Sequence, residues 1–178
     1  GQMIEAVEIP EFKEHDINKF DWTVKGCKKG DEHKKIQNVY YTHPDYETYL
    51  AEKYRTIEET EQRYECIMVE DAEVVLVAYG ISSRVCLETV AMAREKGIKM
   101  GLIRPITLWP FPNKAIEEAK NAKLFVSTEM NILGQMVDDV RLAIKDRVPV
   151  KHYGSIFEIP EPEVLLDCVN KWLDKEVV

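Results

Sequence analysis

Cysteine is scarce and scattered in this sequence. Cys27, Cys66, Cys86 and Cys168 are the four in 178 residues, and no two form a C-x-x-C pair. Zinc and iron–sulfur sites draw on closely spaced thiolates, so neither is supported, and a secreted disulfide scaffold would be far denser in cysteine. Reduced thiols in a cytoplasm are the expectation. Long apolar runs are missing too. No stretch is apolar enough to span a bilayer, and no signal-peptide pattern is visible. Basic charge is in deficit, with 24 Lys and Arg against 32 Asp and Glu, a net charge of −8. That balance argues against nucleic acid or an anionic membrane as the partner. Glycine is thin. A dinucleotide fingerprint needs G-x-G-x-x-G and only Gly80 is present, and no Gly-Lys-Ser/Thr ending marks a phosphate loop. The histidines, His15, His33, His43 and His152, are far apart, and neither G-x-S-x-G nor H-E-x-x-H occurs. The residues therefore offer no catalytic, cofactor-binding or metal-binding set of their own.

What is present falls into two parts, 1–68 and 69–178. The opening "GQMIEAVEIPEF" has no helical apolar pattern and begins with glycine, so it reads as a connector inside something longer. "CKKGDEHKK" reads as solvated loop. Tyr46, Leu50, Tyr54, Ile57 and Tyr64 recur at helical spacing, and Thr42 or Asp45 with Pro44 can start the turn. The spacing predicts a helix over 44–66 with a narrow, tyrosine-rich stripe. It reads as a surface helix, or more sharply as a strap reaching a second domain.

From Glu70 the pattern changes. "EVVLVAY" is a continuous β-branched run suited to a strand buried on both faces. Three more strands are expected in "IKMGLIRP", "KLFVSTE" and "VPVKHYG". Helices are expected between and after them. One follows Ser82 or Ser83 as cap and stops at Gly97; one is capped by Asn113; one carries Met136, Val140 and Ala143 or Ile144 on one face; the last has Pro162 in its first turn. This alternation predicts a three-layer α/β/α domain with a mainly parallel sheet, preceded by an irregular segment and a long helix.

Ligands of such sheets bind beyond the carboxyl ends of the strands. The first end, "AYGISS", sets Gly80, Ser82 and Ser83 before a helix N-terminus, which can hold an anion or serve as a tight turn with a serine cap. Glu129, Asn131 and Gln135 cluster after the third strand, as ligand or subunit contacts or as solvated loop, and Gly134 lets the backbone turn or approach closely. Arg104 before Pro105 is expected to pair with a carboxylate, Glu129 being the candidate. Trp109 and Phe111 sit in a proline-stiffened connection and are candidate contact residues, or else a cover over the domain's own edge. His152, within the last strand, reads as a satisfied structural histidine.

The strings "VAYGISSRVCLETVAMAREKGIKMGLIRPITLWPFP" and "EMNILGQMVDDVRLAI" resemble the C-terminal domain of the α chain of 2-oxoacid:ferredoxin oxidoreductases, nearest to the branched-chain, 2-ketoisovalerate type. The likeness covers about residues 60–168, and "GQMIEAVEIP" resembles the connector leaving a preceding thiamine-pyrophosphate domain. It implies a transketolase C-terminal-like fold. It also implies a complex that decarboxylates a 2-oxoacid on thiamine pyrophosphate and Mg, makes acyl-coenzyme A and reduces ferredoxin through iron–sulfur clusters. Implied partners are a thiamine-binding β chain, a ferredoxin-like chain, ferredoxin and coenzyme A. The chain has no G-D-G…N diphosphate motif and no cluster cysteines, so the resemblance implies a scaffold with no cofactor of its own. Two departures stand out. The family's glycine-rich stretch after the last strand is replaced by "YGSIFEIPEP", with Phe157 and Glu158, and "EMNILGQ" is longer than the usual Asn-to-Gly-Gln spacing. A free-standing flavodoxin-like module holding a nucleotide or anion at Gly80–Ser83 remains the alternative, and another class of thiamine enzyme, related to transketolase, a third.

Overall fold

The apolar runs are four to six residues long, too short for helices, and each is closed by a polar or proline-bearing turn. In the computed structural model they become strands. The structure describes residues 8–20, 23, 26–33, 44–145 and 147–176. Contacts divide the chain into two units, Ile4–Lys53 and Tyr54–Val178 with Gly1–Met3. In the first unit a 3₁₀ turn, Ile17–Lys19, is capped by Asp16, whose carboxylate accepts from the Asn18 amide at 2.9 Å.

The second unit holds the α/β architecture. Helix α1 (Tyr46–Thr60) begins before it, and then come β1 (Tyr64–Ile67), β2 (Val74–Ala78), α2 (Gly80–Glu95), β3 (Met100–Pro105), α3 (Asn113–Glu118), β4 (Leu124–Glu129), α4 (Met136–Ile144), β5 (Val150–Gly154) and α5 (Pro162–Glu176). The sheet order is β1-β3-β2-β4-β5, parallel except for β1, which runs antiparallel to β3. The three-layer, mainly parallel α/β fold is therefore present.

Alternation along β2 divides the core. Val74, Leu76 and Ala78 meet Cys86 and Val90 of α2 and Leu165, Leu166 and Val169 of α5. Val75 and Val77 meet Ala115 and Ile116 of α3 and Met136, Val140 and Ile144 of α4. Every residue of β2 and β4 is buried, so truncating one large side chain, such as Leu76→Ala, costs about 2–5 kcal/mol.

Three expectations are corrected. The helix expected over 44–66 ends at Thr60, and residues 64–67 form the edge strand β1. The tyrosine spacing that suggested a continuing helix also fits a strand, because Tyr64 and Cys66 alternate onto the core. Ser82 and Ser83 do not cap α2; the helix already begins at Gly80, and both serines are buried in its first turn. Asn113 is the first residue of α3, not its cap; Pro112 holds the cap position with no side-chain hydrogen bond. Thr42 lies outside the described residues.

Candidate functional site

The connection after β2 leads to β3 on one side of it, and the connection after β4 leads to β5 on the other. The crevice between the carboxyl ends of β2 and β4 is thus the topological switch point, where open α/β sheets take ligands. A cleft of about 480 Å³ lies there, and Gly80, Ser82, Glu129, Asn131 and Gln135 all line it, with Tyr79, Met130 and Ile156 among its walls. The structure therefore gathers the two separate clusters of candidate residues into one place.

Gly80 starts α2 with φ +58°, and a Cβ there would meet nothing within 4 Å. The backbone demands glycine, and the space above it is open to the cleft. Tyr79, at the cap position, makes no side-chain hydrogen bond to this helix start, whose first N–H groups lack intrahelical acceptors. Ser83 Oγ turns inward and donates to the Gly80 carbonyl at 2.7 Å. Beneath the cleft, Thr128 Oγ1 is buried without a hydrogen-bond partner among the described residues.

Glu129 plays a different part. Its side chain is 2% exposed. Its Oε2 accepts from the Gln135 and Met136 amides at 2.8 and 3.0 Å, and its Oε1 from the Val137 amide at 3.0 Å and Ser127 Oγ at 2.7 Å. Burial pushes the carboxyl upward, but the Gln135 amide, the Ser127 hydroxyl and the next two amides together hold it below the usual glutamate range. The carboxylate fills the N-terminus of α4 and offers little to a ligand.

His152 of β5 was missed as an organiser of this site. Its Nε2 lies 3.0 Å from the Asn131 carbonyl, which can only accept, so Nε2 donates. Its Nδ1 lies 3.6 Å from Glu129 Oε1 and is buried without a hydrogen-bond partner among the described residues, so the histidine expected to be satisfied is satisfied on one side only. Gly134 (φ +77°) closes over it; a Cβ there would meet Val137 Cγ1 at 2.6 Å and the imidazole at 3.1 Å. The β4–α4 loop is thereby held at both ends, with Ile132 and Leu133 left 57% and 87% exposed between them. The sequence signal was a strand histidine two residues before a glycine, which identifies no partner by itself.

Arg104, Trp109 and Phe111 stand apart from the cleft. The expected Arg104–Glu129 pair does not form, because β2 lies between their strands. Arg104 instead pairs with Glu65 of β1 at 2.8 Å. The connection after β3 is fixed by Thr107, whose hydroxyl accepts from the Arg63 amide at 3.0 Å and donates to the Pro110 carbonyl at 3.0 Å. Phe111 is half-buried against the α3–α4 side of the core. Trp109, before a cis Pro110, stays 56% exposed, with Tyr54 edge-on at 5.7 Å between ring centres.

The fold and the cleft define a class before any relative is considered: a mainly parallel, three-layer α/β domain whose cleft lies at the switch point between β2 and β4. Residues 72–158 match the family described as pyruvate:ferredoxin oxidoreductase core domain II. The chain is 45% identical over 147 residues to ketoisovalerate oxidoreductase subunit VorB of Methanothermobacter marburgensis, covering 80% of this chain and 41% of that protein. It is also 45% identical over 96 residues to 2-oxoglutarate synthase subunit KorA of Methanocaldococcus jannaschii, covering 53% of this chain and 26% of that one. The chain thus spans well under half the length of these relatives. Among solved structures, a 2-oxoglutarate:ferredoxin oxidoreductase from Magnetococcus marinus, with 2-oxoglutarate, coenzyme A and succinyl-CoA bound, matches with TM-score 0.61 at 20% identity, over 73% of this chain and 24% of that one. A split-gene transketolase in an inactive β4 tetramer matches with TM-score 0.52 at 21% identity, over 61% and 40%. These two share the fold.

Proposed function

We propose that this chain is the scaffold and interface domain of a 2-oxoacid:ferredoxin oxidoreductase, of the branched-chain, 2-ketoisovalerate type, working in the cytoplasm. The observation that carries the reading is the 45% identity to a ketoisovalerate oxidoreductase subunit across 80% of the chain. In the complete enzyme a thiamine-pyrophosphate centre with Mg would decarboxylate the oxoacid, coenzyme A would take the acyl group, and iron–sulfur clusters would pass electrons to ferredoxin. Among the described residues no three His, Cys, Asp or Glu side chains are placed to hold a metal, and the buried Glu129 is committed to α4. No step of the reaction is therefore assigned to this chain's residues, and its part is to hold neighbours, with Trp109 as the leading contact and Phe111 as its support.

The experiment is affinity capture of the complete gene product from its source cell, purified without oxygen and identified by mass spectrometry. Co-purification of a thiamine-binding chain and a cluster-bearing ferredoxin-like chain is expected. A chain that emerges alone, with no thiamine domain on its own polypeptide, would overturn the proposal. A second reading, a free-standing module holding a nucleotide or anion, is favoured by the cleft above the uncapped start of α2. A nucleotide titration reaching micromolar affinity would favour it.

A further inference from the structure

The opposite end of the sheet carries a feature that the oxidoreductase reading does not use. Helices α3 and α4 pack side by side on one face, and both end at the amino edge of the sheet. Between their ends lies a cavity of about 250 Å³, and a second of about 450 Å³ adjoins it through shared Glu117 and Arg147. Half-buried Ala122 and Val148 form an apolar floor over buried Phe125 and Ile144. Leu142 stands on the wall, 74% exposed.

The rim is basic in a protein of net charge −8. Lys120 borders the first cavity, Lys145 the second, and Arg147 both. Lys120 and Lys145 have no ion-pair partner among the described residues. Arg147 is steadied by its Nε, which donates to the Ile144 carbonyl at 2.9 Å, and it lines both cavities. Glu117 is the described carboxylate on the lining; Asp146, next to Lys145 in sequence, lies outside the described residues.

Two negative helix ends account for a cation near each. They do not account for an exposed leucine and an apolar floor held between three cations. Small-molecule sites of open α/β sheets sit at the other, carboxyl edge. An apolar floor under a basic rim instead complements a protein surface that is acidic around an aliphatic anchor.

We propose that this groove docks an acidic peptide segment of a partner chain. The segment seats one aliphatic side chain against Ala122 and Val148 in the first cavity and a second against Leu142 in the other, and lays carboxylates over Lys120, Lys145 and Arg147. The proposal stands on the groove alone and does not depend on the oxidoreductase reading.

The test is fluorescence anisotropy with a labelled synthetic peptide in which two leucines are flanked by glutamates, titrated with the full chain at low salt. Saturable binding is expected. The double substitution Lys120→Ala, Lys145→Ala should weaken it about fivefold, and Leu142→Ser about threefold. All three residues are exposed, so circular dichroism should show the fold intact. Equal binding by a peptide with serines for the leucines would reduce the contact to bare charge and overturn the proposal. So would affinity unchanged by the lysine substitutions, no binding at about 1 mM, or displacement by millimolar inorganic phosphate, which would make the groove a small-anion site.

Discussion

Replacing Glu129 by glutamine changes one oxygen to nitrogen and tests the central organiser of the cleft. The amide oxygen can keep the place of Oε2 and its bonds from Gln135 and Met136. The amide nitrogen then stands where Oε1 was, facing the Val137 N–H, and two donors cannot pair. Ser127 can turn its hydroxyl to accept, so one buried backbone N–H is orphaned. That orphan costs about 1–3 kcal/mol. Loss of the negative charge at the N-terminus of α4 adds about 0.5–1 kcal/mol. The sum, about 1.5–4 kcal/mol, is a large part of the 5–15 kcal/mol typical of a domain. Urea unfolding at neutral pH, followed by circular dichroism, should show the midpoint falling by about 1–2 M for a slope near 2 kcal/mol/M. The carboxyl's folded-state pKa lies below its ordinary value. Its stabilisation is therefore complete above the ordinary glutamate range and is lost as pH falls through that range toward the depressed folded value. The glutamine variant should lack that part of the acid slope. A destabilisation under about 0.5 kcal/mol, or an unchanged acid slope, would refute the account of Glu129 as the anchor of α4.

Three further outcomes are expected. Arg94 ties the end of α2 to the segment before β2: its Nε donates to the Met100 carbonyl at 2.7 Å, and Nη2 to the Met68 carbonyl at 2.8 Å and Asp71 at 2.8 Å. Arg94→Met keeps the stem, leaves both carbonyls short of a donor and should cost about 2 kcal/mol, with faster hydrogen exchange over 68–72. Burial pushes the Cys86 thiol to about 12, and burial with the Glu118 carboxylate does the same for Cys66. Since the thiolate is the nucleophile, both should resist a thiol reagent at pH 8 until the protein unfolds, while exposed Cys27 reacts at once. Trp109→Ala should leave the chain folded, costing about 1 kcal/mol or less for an exposed ring, and should weaken assembly in the complete enzyme. A collapse of folding in a melt of the isolated chain would make Trp109 a core residue instead.

The alternation of β-branched runs with capped apolar helices was enough to reach the α/β class, because each buried strand and each helix stripe carries its own period. Most helix starts were legible within two residues, and Gly80, Glu129, Asn131 and Gln135, which line one cleft, were marked as candidates from strand ends alone. Strand order was not legible. Chain order sets β3 beside β4, whereas the fold threads β2 between them, so Arg104 meets Glu65 and Glu129 is left to bind its own helix. The edge strand β1 escaped notice because it has only four residues, and Tyr64 fits both the helical spacing of the preceding tyrosines and the alternation with Cys66. Which side of His152 faces Asn131, and which cations gather between α3 and α4, depended on distances across residues far apart in sequence. Local propensity and period are properties of neighbours along the chain; the roles of Glu129, His152 and the α3–α4 groove arise from neighbours in space, and those only tertiary packing decided.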